Sequence, residues 1–348
     1  MNMSARRSSV LVVSHSRLAQ LERCLRGLAL QDVPPTEVIV VWQADDHPTR
    51  ELAERLASEL PCPVRVLHCP ERGIVPAENV GLQAATGEII LLIDDDAVAP
   101  ADWVARHLAH YDNPRVGAVG GPADNHDASG ARYPRRAVEP VGRLTWYGRA
   151  LGNMYDQDDS WRTRPPRDVD HLVGYNLSLR RAAFDRFEDG LKPYWQQFEL
   201  EACLQVKSAG YRVLFDFGNV VDHYPTNTVY QATRDGDLTI KVDHSAFNSA
   251  FNLAKHSAGW QRPWRLLYLL LIGTTGIPGL AAFPLAVRRY GQPRRELSVL
   301  LRSWRFTLAG WRAGTEARHR APKREPRPPS WRVVESWRTA TFWSAATS

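Results

Sequence analysis

An apolar run that ends in three consecutive aspartates constrains the fold of this chain more than any other feature. Residues 88–100 read EIILLIDDDAVAP, and 88–93 has the length and β-branched content of a buried strand. Adjacent carboxylates repel one another unless a cation lies between them. Because open α/β sheets bind ligands at the carboxyl ends of their strands, the pattern predicts a metal site there. The alternative is that Asp96 or Asp102 caps a helix that starts near Pro100.

Short apolar runs alternate with helical hydrophobic patterns along residues 9–120. We predict strands at 9–13, 37–42, 64–68, 88–93 and 116–120, and helices at 17–28, 48–60 and 74–85. This alternation is typical of a mostly parallel α/β sheet with helices on both faces. Residues 122–167 are charged and contain Gly and Pro, which favours loops and connecting helices. Regular structure is expected again at 170–181 and 198–223.

Cysteine usage and the amino-terminal residues bear on the compartment. The four cysteines, Cys24, Cys62, Cys69 and Cys203, have no metal-ligand spacing. The first residues, MNMSARRSSVLVVS, contain too few apolar side chains for a signal peptide. Together these features predict a protein of the reducing cytoplasm.

Charge is segregated along the chain. The net charge is +6, but residues from Arg288 onward carry fourteen Lys and Arg against four Glu, or +10, which leaves −4 for residues 1–287. Just before this basic part, residues 266–287 are 22 residues without a charge, the length of a membrane span. A span would move the basic tail across the bilayer against the positive-inside tendency. We therefore expect this segment to enter the membrane and return, or to pack as a buried helical pair against the α/β domain.

A second amphipathic segment follows at residues 296–311. Its apolar side chains fall on one predicted helical face, flanked by Arg302, Arg305 and Arg312: Leu297, Leu300, Leu301, Trp304, Leu308 and Trp311. Such a helix suits the headgroup region of an anionic membrane. We expect peripheral or monotopic association with the cytoplasmic face of a membrane, and no nucleic-acid partner.

Polar residues end the first two predicted strands as well. The turn Ser14-His15-Ser16-Arg17 follows the first, and Asp45 and Asp46 follow the second. Either aspartate could accept hydrogen bonds from a base or ribose, although Asp is also common in a turn before a proline such as Pro48. The glycine-rich fingerprints GxGxxG and GxxxxGK[ST] are absent.

The motifs, taken in order, resemble family-2 glycosyltransferases with the GT-A fold, from about residue 9 to residue 224. The matching stretches are 13–17, 40–46, AENVG at 77–81, DDD at 94–96, GYN at 174–176, FELE at 198–201 and VDH at 221–223. The resemblance implies a GT-A catalytic domain over 1–225. A membrane-associating helical region would occupy 226–315, and a basic, flexible tail 316–348.

The resemblance also implies an activity and residue roles. The activity is inverting transfer of one sugar from a nucleotide sugar to a hydroxyl of a saccharide or lipid-linked acceptor, in cell-surface polysaccharide or glycolipid synthesis. Mn²⁺ or Mg²⁺ would be bound by Asp96 and His223. Glu199 would be the general base, supported by Glu201. The donor-binding residues would be Ser14, Ser16, Asp45, Asp46, Asn79, Asp94, Asp95 and Asn176.

The roles given to His223 and to the two glutamates each have an alternative interpretation. His223 could be a lone histidine that ends a strand. Glu199 and Glu201 would share a face on a strand but not on a helix, and two glutamates also suit a helix N-terminus.

The chain departs from the family pattern at three places. Trp42-Gln43 replaces the acidic pair after the second strand, which leaves the nucleotide base open, and Glu78 replaces an arginine. The QxxRW motif of processive enzymes is absent, which favours single additions. These departures motivate a non-catalytic alternative that binds a sugar nucleotide or a partner. A Mg²⁺-dependent phosphatase or nucleotidyltransferase is a minor alternative, because its DxDx[TV] or GxGxR motif is missing near the amino terminus.

Overall fold

An eight-stranded sheet forms the centre of the computed structural model, which describes residues 6–192, 197–225, 238–274 and 277–320. Its strands are β1 (Ser8–Ser14), β2 (Glu37–Gln43), β3 (Val64–Cys69), β4 (Ile89–Leu92), β6 (Val116–Gly120), β10 (Arg167–Asp168), β11 (Leu177–Arg180) and β12 (Arg212–Phe215). Their spatial order is β10-β12-β6-β11-β4-β1-β2-β3.

Most of this sheet is parallel, as the alternation of strands and helices predicts. Strands β3, β2, β1 and β4 pair in parallel, and so do β6 and β12. Only β10 and β11 run antiparallel to their neighbours. The chain builds outward from β1 to β3 and then returns to place β4 on the other side of β1. The carboxyl ends of β1 and β4 therefore meet at a topological switch point, where open sheets bind ligands.

Helices cover both faces of the sheet. They are α1 (Leu18–Ala29), α2 (His47–Leu56), α3 (Ile74–Ala84), α4 (Trp103–His110) and α5 (Phe198–Ser208). Successive residues of β1 enter different cores: Val10 and Val12 pack with α1, α2 and α4, whereas Leu11 packs with α3 and α5. Burial on both faces explains the continuous apolar strands of the sequence.

A small sheet lies beside the switch point. It consists of β5 (Ala97–Val98), β13 (Val221–His223) and β7 (Ala123–Asn125), in the order β5-β13-β7. Within the predicted loop region 122–167 there is one further pair, β8 (Arg143–Leu144) with β9 (Ala150–Leu151). Because β5 directly follows the three aspartates, its pairing with β13 brings residues 221–223 next to them.

The carboxyl-terminal part is largely helical. It contains α6 (Leu238–His256), α7 (Arg262–Leu271), the two short strands β14 (Gly273–Thr274) and β15 (Ile277–Pro278), α8 (Ala282–Tyr290) and α9 (Pro293–Arg320). Phe247 and Phe251 of α6 join the same core as α3 and α5. Residues 226–237 and 321–348 lie outside the described residues, so most of the predicted tail is not described.

Helix α9 packs closely along α6, and its buried face differs from the predicted one. The backbones approach so closely that a Cβ at Gly310 or Gly314 would lie 2.2 Å from a carbonyl oxygen of α6. The buried residues of α9 are Leu300, Ser303, Thr307, Gly310 and Gly314. The small side chains on this face of α9 allow the two helices to lie so close together. A prediction from the spacing of large apolar residues misses this face, because Ser, Thr and Gly are not counted as apolar. Leu297, Leu301 and Leu308 remain exposed.

The uncharged segment 266–287 forms the end of α7, the β14–β15 pair and most of α8. None of the helices in the described part of the chain has the length and hydropathy needed to cross a membrane. Helix α8 has no buried residue at all.

Candidate active site

The three aspartates lie at the carboxyl end of β4, next to the end of β1. The hydroxyl of Ser14 donates a hydrogen bond of 2.7 Å to Asp95 Oδ2. An NH group of Arg17 donates to Asp95 Oδ1 at 2.9 Å and to Asp96 Oδ2 at 3.0 Å. Both oxygens of Asp95 are therefore engaged within the protein, and this residue ties the aspartate turn to the loop after β1.

Asp94, Asp96 and His223 form a cluster with the ligand types of a divalent metal site. One ligand atom of each lies within 4.8 Å of the others. Nε2 of His223 is 3.1 Å from Asp96 Oδ1, a buried oxygen that accepts no hydrogen bond from the described residues. The other ring nitrogen, Nδ1, lies 2.7 Å from Asn125 Oδ1, which orients the ring.

The electrostatics of this cluster fit a bound cation. Burial raises the pKa of Asp94, and the charge of Asp96 raises it further. Burial also raises the pKa of Asp96, but the neighbouring His223 outweighs it and the pKa ends below its usual value. When both are ionised, the carboxyl groups of Asp94 and Asp96 repel each other. A divalent ion bound between them and the imidazole of His223 would offset this repulsion. The residues present therefore fit a metal.

Glu199 lies in the first turn of α5. Its Oε1 accepts a 3.2 Å hydrogen bond from the backbone N–H of Gly174, and its charge acts on Asp94. Burial raises the pKa of Glu199 to about 7. A carboxyl group with a pKa near neutrality is suited to proton transfer.

Glu201, two residues along the same helix, lies in a different environment. It is fully buried, and Lys255 Nζ lies 2.7 Å from its Oε1. Nε2 of Gln205 donates to both of its oxygens, and His256 Nε2 is 3.3 Å from Oε1. Burial raises its pKa, but His256 and Lys255 outweigh this and lower it. Since the segment is a helix, the two glutamates face different sides, and Glu201 joins α5 to α6.

Three further predicted donor-binding side chains, besides Ser14 and Asp95, form hydrogen bonds within the protein. Asp46 Oδ2 accepts hydrogen bonds from the Ser16 backbone and from the Thr49 hydroxyl, which closes the loop after β1. Asn79 exchanges hydrogen bonds with the backbone of Phe187. Asn176 is fully buried, and its contacts are Trp103 Nε1, His107 Nε2 and the carbonyl oxygens of Pro122 and Asn219. Ser16 and Asp45 are exposed near the strand ends.

The structure adds residues that the sequence pattern does not single out as part of the site. Arg17 holds two of the aspartates, and Asn125 orients His223. An open cavity of about 400 Å³ adjoins His223, lined by Asn125, Tyr133, Arg136, Tyr155, Asp156, His223 and Pro225. Most of these residues come from the loop region 122–167, whose sequence gives no periodic signal.

The family follows from a comparison of sequences. The sequence model described as "Glycosyl transferase family 2" matches residues 9–187, more than half of the chain. The chain belongs to this family. The family assignment made from the motifs is thereby confirmed.

Curated relatives of this family-2 chain match over about a third of its length. Succinoglycan biosynthesis protein ExoM from Rhizobium meliloti (strain 1021) is 34% identical over 113 residues, which cover 32% of this chain and 37% of that protein. Glucosyl-dolichyl phosphate glucuronosyltransferase from Haloferax volcanii is 29% identical over 118 residues, which cover 32% and 37%. Each match thus spans little more than a third of the relative.

Solved structures show the fold over most of the chain. Mannosyltransferase PcManGT from Pyrobaculum calidifontis, in complex with GDP-Man and Mn²⁺, matches with a TM-score of 0.55 at 20% identity, covering 90% of this chain and 87% of that one. TarS 1-349 from S. aureus, in complex with UDP, matches with a TM-score of 0.50 at 15% identity, covering 90% and 91%. The predicted GT-A fold is confirmed.

Proposed function

We propose that this family-2 protein is an inverting, metal-dependent glycosyltransferase that moves one sugar from a nucleotide sugar to a hydroxyl group. The observation that carries this proposal is the convergence of two kinds of groups at the switch point. Asp94, Asp96 and His223 have the ligand types for a divalent ion, and Glu199 lies close enough for its charge to act on Asp94. A metal-ligand set beside a proton acceptor suits the departure of a nucleoside diphosphate and the attack of an alcohol.

Glu199 is the proposed base. Its carboxylate takes the proton of the acceptor hydroxyl while the hydroxyl oxygen forms a bond to the anomeric carbon and the bond to the diphosphate breaks. A single displacement of this kind inverts the anomeric centre. The raised pKa of about 7 makes Glu199 a stronger base than an exposed glutamate, while about half of it is ionised at neutral pH.

Asp96 and His223, with Asp94 beside them, are the residues that would hold Mn²⁺ or Mg²⁺. When bound there, the ion would supply positive charge that balances the charge on the leaving diphosphate. Asn125 fixes the imidazole through Nδ1, and Arg17 and Ser14 fix the aspartate turn through Asp95. The structure of PcManGT in complex with GDP-Man and Mn²⁺ supports this proposal.

The acceptor is proposed to be a saccharide or a lipid-linked saccharide. The names of the relatives support this class, since one acts in succinoglycan biosynthesis and another on glucosyl-dolichyl phosphate. The nucleotide base stays open between the UDP and GDP of the structural neighbours. Gln43, at the place of the usual acidic pair, is buried and accepts a hydrogen bond from Gly73 N–H.

We also propose that the carboxyl-terminal helices rest on the cytoplasmic face of an anionic membrane. Exposed apolar side chains on α7, α8, α9 and the turns beside them support this proposal: Trp260 is 63% exposed, Ile272 60% and Leu285 69%. Trp264, Leu267, Leu271, Leu280, Leu297, Leu301 and Leu308 are exposed as well. Four exposed arginines lie at the junction of α8 and α9, namely Arg288, Arg289, Arg294 and Arg295. Apolar side chains beside arginines fit lipid chains beside anionic headgroups.

A donor screen tests the proposed activity. The protein is incubated with UDP- and GDP-sugars in Mn²⁺ or Mg²⁺, with glycan and lipid-linked acceptors, and release of nucleoside diphosphate is measured. We expect metal-dependent release with at least one donor and loss of release in Glu199→Gln. Metal-dependent binding of a nucleotide sugar without any release would favour the non-catalytic alternative.

A further inference from the structure

Asp156 is a buried aspartate in the wall of the cavity that adjoins His223. It is only 7% exposed, and it lines the cavity together with Asn125 and His223. Its Oδ1 accepts a hydrogen bond from the backbone N–H of Asn125 at 2.7 Å, and its Oδ2 accepts one from the side-chain Nδ2 at 3.0 Å. Both hydrogen bonds that this carboxyl group accepts from the described residues thus come from Asn125.

The backbone around Asp156 holds the carboxyl group in place. The N–H of Asp156 donates to the carbonyl oxygen of Ala123 in β7, and its own carbonyl oxygen accepts from the N–H of Arg136, both at 2.9 Å. Its φ of 51° lies in the left-handed region, which Asp and Asn adopt more readily than most other residues. The segment that follows β9 is therefore fixed against β7 at the residue that contacts Asn125.

The carboxyl group determines how the side-chain amide of Asn125 is turned. An ionised carboxylate only accepts hydrogen bonds, so the group of Asn125 that faces Asp156 Oδ2 must be its NH₂. The amide oxygen then faces the other way, 2.7 Å from Nδ1 of His223. Asn125 and His223 are paired residues of β7 and β13, which keeps this contact in register.

The orientation of the amide determines which nitrogen of His223 can bind a metal ion. Because an amide oxygen only accepts, Nδ1 must carry a proton and donate it to Asn125. The lone pair that a metal ion needs is then on Nε2, the nitrogen that lies 3.1 Å from Asp96 Oδ1. A reversed amide would present its NH₂ to Nδ1 and move the proton to Nε2, where it would block the ion.

We infer that Asp156 is a positioning residue of the metal site, which keeps the Nε2 lone pair of His223 available to a divalent ion through the amide of Asn125. The inference rests on the proposed function, because it assigns a further residue to the metal site on which that function depends. Loss of the partner of a ligating histidine typically lowers metal affinity by about 10- to 100-fold. Asp156 acts one step further out, through a hydrogen bond whose direction a substitution can reverse.

Asp156→Asn reverses this direction with almost no change of shape. The backbone N–H of Asn125 still requires an oxygen, so the new amide at position 156 turns its NH₂ toward the NH₂ of Asn125, and the Asn125 amide must reverse. We expect the affinity for Mn²⁺ to fall about 10- to 100-fold. The protein should remain folded, because Asn also tolerates the left-handed backbone. Asp159→Asn, the same substitution at an aspartate whose side chain is 64% exposed, is the matched control and should resemble wild type.

Exchange of the two side chains should restore the site. In the double variant Asn125→Asp with Asp156→Asn, the carboxylate at position 125 accepts hydrogen bonds from the amide at position 156 and from Nδ1 of His223. Nε2 then keeps its lone pair. The affinity for Mn²⁺ should return to within about 3-fold of wild type or exceed it, since a carboxylate on Nδ1 makes the imidazole a stronger ligand. Loss of a merely structural contact would not be reversed by a second substitution in this way.

Calorimetric titration of Mn²⁺ into the full chain at fixed UDP, and at fixed GDP in parallel, measures these affinities. Circular dichroism melts establish that each variant is folded. In Asp156→Asn, an excess of Mn²⁺ should also restore nucleotide binding to the wild-type level, because the nucleotide itself does not contact position 156.

Each contrary result has a distinct meaning. Wild-type affinity for Mn²⁺ in Asp156→Asn would overturn the inference, and so would a double variant that binds no better than Asp156→Asn. If Asp156→Asn does not fold, the double variant decides alone: Mn²⁺ binding supports the inference, and its absence overturns it. The proposed function survives all of these results. A wild-type protein that binds neither UDP nor GDP in a metal-dependent way would instead overturn the proposed function, and the inference with it.

Discussion

Lys255 Nζ lies 2.7 Å from Oε1 of the fully buried Glu201 and so joins α6 to α5. Lys255 also contacts Glu188 at 2.6 Å. A buried charge that loses its partner is strongly destabilising, since its desolvation is no longer offset. This ion pair gives Glu201 a structural role, because it holds two helices together. Glu199 differs, because its charge acts on Asp94.

Glu201→Gln should therefore act on stability. We expect the free energy of unfolding to fall by about 3 kcal/mol, because the substitution leaves Lys255 with Glu188 alone. Urea denaturation followed by circular dichroism measures this change, with the exposed Glu71→Gln as control. A Glu201→Gln protein of wild-type stability without transfer activity would instead assign Glu201 to the chemistry.

The Glu199→Gln variant should lose sugar transfer but still bind the donor. Loss of a general base typically lowers the rate by about 10²- to 10⁴-fold, whereas the amide preserves the shape of the side chain. Single-turnover transfer and calorimetric binding of the donor measure the two effects separately. A variant with near wild-type transfer would exclude Glu199 as the base.

The activity and the stability of the protein should both depend on pH through the ionisation of the Glu199 carboxyl group. Transfer requires the ionised form, so kcat/KM should rise with pH through about 7. The raised pKa has the opposite effect on stability, because the folded protein holds this proton more tightly than the unfolded chain. The contribution of this bound proton to folding stability is complete below pH 4.5, the ordinary pKa of a glutamate. It is lost as the pH rises through about 7, the pKa of Glu199 in the folded protein.

Glu199→Gln should thus become more stable relative to wild type as the pH rises. We expect a relative gain of up to about 3 kcal/mol between pH 5 and pH 8. Thermal melts of both proteins across this range measure it. A difference that stays constant with pH would mean that Glu199 titrates at its ordinary value in the folded protein.

Much of the fold could be predicted from the sequence, because strands buried on both faces are apolar throughout. The sequence also indicates why Asp94, Asp96 and His223 lie close together, since Asp94 and Asp96 follow such a strand and His223 ends another. Other features depend on contacts between distant segments. Lys255, a partner of Glu201, is 54 residues away. Asn176 is fully buried and contacts Trp103 and His107. The buried face of α9 depends on small residues, which hydropathy does not reveal.

Asp96→Asn and His223→Ala should each remove metal-dependent ligand binding. Both residues lie at the ends of strands and belong to neither apolar core, so the protein should remain folded. We expect the affinity for nucleoside diphosphate in Mn²⁺ to fall at least about 10-fold, in line with the loss of a metal ligand. Calorimetry with and without EDTA measures this, and unchanged affinity in either variant would remove that residue from the site.

Exposed leucines on α8 and α9 provide the test of the membrane surface. Wild type should float with vesicles that contain phosphatidylserine, float less with phosphatidylcholine alone, and dissociate as salt screens the arginines. Leu285→Glu and Leu301→Glu each replace a side chain whose burial in lipid is worth about 1.5–3 kcal/mol, so each should reduce vesicle binding about 10-fold or more. Leu30→Glu is the matched control, because Leu30 is 73% exposed at the end of α1, away from the proposed surface. If Leu30→Glu lowers flotation as much as Leu285→Glu, or if wild type never floats, the apolar surface does not bind membranes.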